Sequence, residues 1–251
     1  MKQSTPTVDD QASYWDKWNA RSREITLPAS SSRQGDLVEQ AVAALGCSDL
    51  KILDVGCGTG WVCQRLERFG QVTGTDMTPT VLDRARIRVP MARFVCGDFF
   101  RLDLPYGAYD VIVSLEVLSH VADQQAFVAR LASLLKPGGL LLLSTQNRPV
   151  FERWDSVAPP DPAQIRRWID RRELLRLLTP CFESIVVRSL VPAGNRGVLR
   201  FSNSVKLNSV VAALFGAARV ERWKESMMLG QTLMATARRR RSLGQVTTVE
   251  S

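Results

Sequence analysis

Apolar residues along this chain fall into two alternating rhythms. Tyr14, Trp15 and Trp18 are spaced to share one face of a helix. Leu37, Val38, Ala41, Val42 and Leu45 repeat that period and predict a helix over residues 34–45, which Gly46 ends. The Ser-rich stretch at 29–32 reads as the loop between them. From there strand and helix signals alternate. Residues 51–55, 71–75, 92–96, 109–114 and 140–145 read as five strands, with helices at 61–69, 80–88 and 124–135. Pro90 stops the second of these helices, and Pro137-Gly138-Gly139 predicts a sharp turn before the fifth strand. Residues 162–178 then read as a helix, 182–188 as a strand and 231–237 as a last strand. Such alternation predicts an α/β fold, a parallel sheet with helices on both faces joined by right-handed crossovers.

The chain divides accordingly into an N-terminal segment at 1–33, a core at 34–189, an insertion at 190–230, a last strand at 231–238 and a basic tail at 239–251, expected to be disordered. Its 251 residues suit one large α/β domain, or one domain with an attached cap. No apolar run is long enough to span a bilayer. The first residues lack the basic-then-apolar order of a leader, so a cytoplasmic protein is expected. The five cysteines are odd in number and show no CxxC spacing, which argues against a disulfide framework or a zinc site and for most of them being small buried residues. The single histidine excludes a His-rich centre, and no metal is expected.

A formal charge of +8 changes the picture only modestly. Much of it lies in Arg166, Arg167, Arg171, Arg172 and Arg176, then in Arg238, Arg239, Arg240 and Arg241. Such a surface suits an anionic substrate, nucleic acid or lipid, and equally a solvated helix face and a loose tail. No RNA-binding signature accompanies it.

The candidate chemistry begins at Asp54-Val55-Gly56-Cys57-Gly58-Thr59-Gly60, which follows the first strand and opens a helix. Glycines there let the backbone turn tightly and approach a ligand at the carboxyl end of the strands. The third glycine falls one position too early for a dinucleotide fingerprint, and no Gly-Lys-Ser/Thr ending marks a P-loop. The spacing favours a ligand without a pyrophosphate. Asp76 ends the second strand, where a carboxylate can hold ribose hydroxyls, or else cap the next helix. Met77 could pack on an adenine face. Asp98 could accept from an adenine amino group with Phe99 alongside, or simply cap a turn.

KILDVGCGTG, GTDMT, CGDFF, YDVIVSLEVLSHV and LLKPGGLLLLST, in this order over roughly residues 36–190, resemble the class I S-adenosylmethionine-dependent methyltransferases. They are most similar to the small-molecule branch that includes the ubiquinone-biosynthesis O-methyltransferases. The resemblance implies a Rossmann-like seven-stranded, mostly parallel sheet with strand seven antiparallel between five and six. It implies an N-terminal helical lid and S-adenosylmethionine as cofactor, with S-adenosylhomocysteine as product. It also implies that Asp54 and the loop of Gly56, Cys57, Gly58 and Gly60 surround the methionine part, that Asp76 holds the ribose and that Asp98 faces adenine. Met77, Phe99 and Ser114 complete the expected cofactor set. Ser119 stands where the ubiquinone-type enzymes tend to carry a second Glu, so no metal-assisted mechanism is carried over.

His120, after the fourth strand, is the candidate base, with Glu116 as second candidate; His120 could instead cap or pack on the next helix. Tyr14 and Trp18 of the lid, with Arg200 and Lys206 of the insertion, are the candidate acceptor residues, the last two for an anionic group. The insertion reads equally as an ordinary surface helix. The expected partner is a small-molecule acceptor, with no stable nucleic acid and no membrane span. The expected function is methyl transfer to a hydroxyl of a metabolite. The alternatives are N-methylation of a small amine, an RNA or protein methyltransferase using the basic surface, and cofactor binding without catalysis.

Overall fold

The structure, a computed structural model, describes residues 6–22, 29–154, 157–190 and 228–241. Seven strands form one sheet: β1 (Leu50–Val55), β2 (Gly70–Asp76), β3 (Arg93–Cys96), β4 (Tyr109–Leu115), β5 (Leu135–Gln146), β6 (Phe182–Leu190) and β7 (Thr232–Arg239). Their order is β3-β2-β1-β4-β5-β7-β6. All neighbours are parallel except β7, which runs antiparallel between β5 and β6. The seven-stranded Rossmann-like sheet is therefore as expected. The order reverses between β1 and β4, and open α/β sheets bind ligands outside the carboxyl ends of strands at such a point.

Strand alternation divides the core. Leu53, Val55, Ile112, Leu141 and Leu143 face Phe127 and Leu131 of α5 (Gln124–Leu134) and Leu174 of α7 (Arg171–Leu178). Ile52, Val111, Val113, Leu140 and Leu142 face α2 (Ala29–Ala43), α3 (Trp61–Leu66) and α4 (Pro79–Arg88). Both faces of the parallel strands are covered, so those strands read as apolar runs. Helix α1 (Val8–Ser22) lies against α4: Asp16 accepts from Thr80 Oγ1 and pairs with Arg84 at 3.3 Å.

Several boundaries differ from the expectations. The Ser-rich stretch is the first turn of α2, not a loop. The helix expected over 162–178 is confined to α7, because the Asp170 side chain and Glu173 form a reciprocal capping box that starts it there. Residues 164–168 instead bond to the turn after β4. The Pro137-Gly138-Gly139 turn is a bulge within β5, with Tyr109 opposite Leu135 and Val111 opposite Leu140. The short helix α6 (Arg148–Trp154) had no sequence signal of its own. Cys57 and Cys63 are buried, whereas Cys47 and Cys96 are exposed. The expected tail is not loose at its start: Arg239 belongs to β7, and the Arg240 amide donates to the Cys181 carbonyl. Most of the insertion and the tail beyond residue 241 lie outside the described residues.

Asn147 joins the end of β5 to the entry of β7. Its buried side-chain amide donates to the carbonyls of Gly230 at 2.8 Å and Met228 at 3.1 Å. Asn147→Ala strands both acceptors, and about 1–3 kcal/mol of stability should be lost. Urea unfolding of the variant beside the parent measures it.

Candidate functional site

The site begins where β1 ends. Gly56 has φ 73°, and a Cβ there would lie 2.3 Å from Val117 Cγ2. Only glycine lets the chain turn in that position while Val117 closes from below. The loop is then tied to the end of β2. The Gly56 and Cys57 amides donate to the Thr75 carbonyl at 2.8 and 3.0 Å. The Gly58 amide donates to Asp76 Oδ2 at 3.0 Å, and the Thr78 amide to Asp76 Oδ1 at 3.0 Å. Arg88 clamps the far side of the loop through the Thr59 carbonyl and hydroxyl, at 2.9 and 2.7 Å.

Burial pushes Asp54 up to about 7, partly opposed by the Cys63 thiol, which donates to Oδ2 at 3.3 Å. The carboxyl of Asp76 is also raised by burial, although backbone amides hold it. Each Asp76 oxygen takes one amide and keeps a further acceptor site. Thr78, not Asp76, is the N-cap residue of α4. Asp98 does cap a turn, with Oδ1 accepting from the Phe100 amide at 3.0 Å, and it lines the cavity as well.

Past β4, Glu116 adopts φ 61°, an uncommon conformation for a non-glycine residue. Its amide donates to the Ser144 carbonyl. Its Oε1 accepts from Gln34 at 2.9 Å and Thr232 at 3.1 Å, and lies 3.2 Å from the Ser144 hydroxyl. This carboxylate is thus held by α2, β5 and β7 together.

His120 follows in a 3-10 turn. Its Nδ1 faces the Ile165 carbonyl at 2.8 Å. A carbonyl only accepts, so Nδ1 carries the proton and Nε2 the lone pair. The Trp15 ring lies edge-on at 4.5 Å. Burial lowers His120 to about 4, assisted by the Arg166 charge against the pull of the Ile165 bond. The near-neutral titration of an ordinary histidine does not apply here. The 164–168 segment is strapped onto this turn: the Arg167 amide donates to the Ser119 carbonyl at 2.7 Å, and Gln124 Nε2 spans the carbonyls of Leu118 and Arg167.

These groups share one cavity of about 670 Å³, within the range of small-molecule sites. Asp54, Gly56, Cys57, Gly58, Asp76, Met77, Asp98, Phe99, Glu116 and His120 all line it, and so does Trp18. Gly60 does not; its φ of 73° turns the loop into α3. Two further expected site residues also fall outside the lining. Ser114 is fully buried in the sheet and donates to the Val55 carbonyl at 3.2 Å, away from the cavity. Tyr14 is not among the lining residues; its ring packs edge-on against Trp15. Arg200 and Lys206 lie outside the described residues.

Sequence reasoning missed Gln34, Gln146 and Thr232, which complete the floor, and Phe151, Arg166 and Trp168, which line a further wall. The polar run Ser144-Thr145-Gln146 after four leucines was the available signal for the floor. Among the described residues, no three His, Cys, Asp or Glu side chains gather as a metal site. Among the same residues, no helix is long and apolar enough to cross a membrane.

A family model described as "Methyltransferase domain" matches residues 53–143. A ubiquinone biosynthesis O-methyltransferase from Bradyrhizobium sp. (strain ORS 278) is 34% identical over 152 residues, 57% of this chain and 58% of that protein. The chain thus spans little more than half the length of this relative. One of the same description from Idiomarina loihiensis is 33% identical over 178 residues, 64% of this chain and 73% of that protein. The N-methyltransferase NodS from Bradyrhizobium japonicum WM9, solved with S-adenosyl-L-homocysteine, superposes with a TM-score of 0.63 at 15% identity, covering 93% of this chain and all of that one. Its likeness shows the fold, while the Idiomarina relative, of which nearly three quarters is matched, shows the family: the chain belongs to the class I S-adenosylmethionine-dependent methyltransferases.

Proposed function

We propose that this chain transfers a methyl group from S-adenosylmethionine to a hydroxyl of a small-molecule metabolite in the cytoplasm. The observation that carries the reading is a neutral histidine with its Nε2 lone pair kept free of the Ile165 bond, in the same cavity as the glycine loop. The residues fit the cofactor. Among the described residues, four carboxyl groups (Asp54, Asp76, Asp98 and Glu116) line the cavity against one guanidinium, Arg166, and a cationic ligand would favour the charged forms of Asp54 and Asp76, which burial alone disfavours. Asp76 would hold the ribose through its spare acceptor sites, Asp98 and Phe99 the adenine end, and Asp54 with the loop amides the methionine end.

When bound, S-adenosylmethionine supplies an electrophilic methyl on a sulfonium. The protein's part is alignment, exclusion of water and removal of one proton. Trp15 and Trp18 of α1 cover the cavity from the lid side. Nε2 of His120 accepts the hydrogen bond of the acceptor hydroxyl and so aims its oxygen. As that oxygen gains a bond, its proton becomes strongly acidic, and even a weakly basic imidazole takes it. An amine acceptor, the closest alternative, would need its lone pair exposed and makes less use of such a base.

The Arg-rich C-terminal end gives the macromolecular alternative little support. β7 is antiparallel, so Arg238 and Arg239 emerge at the edge opposite the cavity. Their guanidinium groups bond to the carbonyls of Gly138 and Leu135, and that of Arg240 to Thr179.

Three outcomes are expected. Asp76→Ala removes charge-assisted bonds to the ribose, so affinity for S-adenosylmethionine should fall at least about tenfold by calorimetry. Unchanged affinity would sink the ribose assignment.

His120→Ala should keep cofactor affinity and lower turnover of a hydroxyl acceptor about a hundredfold. Because His120 is lowered to about 4, its neutral form is fully present well below neutrality. The His120-dependent limb of the pH–rate profile should therefore rise near pH 4 and be flat around neutrality. A limb centred near the ordinary histidine value would contradict the buried geometry.

Asp54 gives a stability signature. Its folded value of about 7 exceeds the ordinary 3.8, so the folded state binds the proton more tightly. The ligand-free protein should lose stability as pH rises from about 4 to about 7. Asp54→Asn should flatten the fall in melting temperature between pH 5 and 8, without abolishing it, because Asp76 is shifted the same way. Thermal melts across that range decide it; an unchanged slope in the variant would assign the titration elsewhere.

A further inference from the structure

One cation lining the cavity has no place in the cofactor reading. Arg166 belongs to the 164–168 segment strapped beneath His120, not to the strand ends that carry the carboxylates. Its guanidinium is fixed three ways. One Nη donates to the Ala158 carbonyl at 2.6 Å, the other to Gln164 Oε1 at 3.1 Å, and the group lies 5.0 Å from the Trp168 ring centre. Trp168 is itself stacked on Phe151 at 4.8 Å and 27°. Guanidinium has five N–H donors, so donors remain beyond these two bonds. Among the described residues no carboxylate pairs with it, although four carboxylates line the same cavity. Its charge is felt by His120 and by Tyr14 of the lid, which brackets its position beside the candidate base.

A preorganised guanidinium that no carboxylate pairs among the described residues, on the wall of an aromatic cavity, is suited to an oxyanion. We propose that Arg166 binds an anionic group on the methyl acceptor, a carboxylate or a phosphate carried on a ring that lies against Trp168 and Phe151, with the acceptor hydroxyl at His120 Nε2. This rests on the methyltransferase reading and names the acceptor class for it. It also moves the anion site from the insertion, where Arg200 and Lys206 were expected to form it, to the strap beside the base.

Binding tests it without turnover. With the cavity saturated by S-adenosylhomocysteine, tryptophan fluorescence is titrated with 3-hydroxybenzoate and with its uncharged counterpart 3-hydroxybenzamide. The parent should bind the acid about tenfold or more tightly than the amide. Arg166→Gln should bring the two within about twofold by weakening the acid alone, and Arg166→Lys should keep part of the preference. Equal binding of acid and amide by the parent overturns the proposal. So does equal weakening of both by Arg166→Gln, which would make Arg166 a brace for its segment. Failure of both probes to bind while S-adenosylhomocysteine binds also overturns it. Failure of S-adenosylhomocysteine itself to bind would instead remove the methyltransferase reading on which the proposal stands.

Discussion

The bond from the Gly58 amide to Asp76 ties the exit of β1 to the exit of β2, and most of the cavity depends on it. Parallel strands leave their carboxyl ends side by side, but nothing in a sheet decides where the chain goes next. Here the left-handed turn at Gly56 folds the chain over the end of β2, and the Thr75 carbonyl and Asp76 carboxylate receive it. The loop then has one position, and its remaining amides line a concave wall. A side chain at Gly56 would strike Val117, so the same glycine also sets how closely the turn after β4 approaches. Two exits of the sheet are thus positioned by one short segment, at the point where the strand order reverses.

The second constraint is the strap over that β4 turn. His120 owes its orientation and its low basicity to one arrangement. The Ile165 carbonyl fixes which nitrogen is protonated, and the same packing removes water from the ring. The segment that does this ends at Asp170, where the capping box begins α7. Had residues 162–170 continued as helix, their carbonyls would have been spent on helix bonds. The Ile165 carbonyl would then not reach His120, and Arg166 would not face the cavity. Irregular backbone here is what makes the site.

Much of this was legible in the sequence, and the reason is physical. Buried parallel strands must be apolar throughout, and the loop after β1 must be glycine-rich, so both leave strong local marks. Asp76 and Asp98 could be located because each directly follows such a strand. What sequence hid were contacts between distant segments. Gln34 reaches Glu116 across 82 positions, and Thr232 across 116. Ser114 was assigned to the cofactor set from its place at a strand end, but strand residues alternate faces, and this one points to Val55. The 162–178 stretch misled because its leucines have helical spacing only at the end, while Asp170 and Glu173 already carried the start signal.

The two edges of the sheet are built to different standards. At the amino edge, polar groups are satisfied. The arginines of β7 and beyond bond to carbonyls, and Asp110 takes both Lys136 and the Lys51 amide. At the carboxyl edge several are not. Every buried side-chain polar atom lacking a partner among the described residues (on Thr75, Thr78, Ser119, Thr145 and Gln146) lies there. Asp54 and Asp76 are desolvated at the same edge, and Glu116 carries its positive φ beside them. A buried unsatisfied hydroxyl or a dehydrated carboxylate costs stability, and folds tolerate such costs where a ligand offsets them. The asymmetry is therefore independent of any motif. It sets the carboxyl edge apart, where the desolvated Asp54 and Asp76 line the cavity together with Thr75 and Gln146.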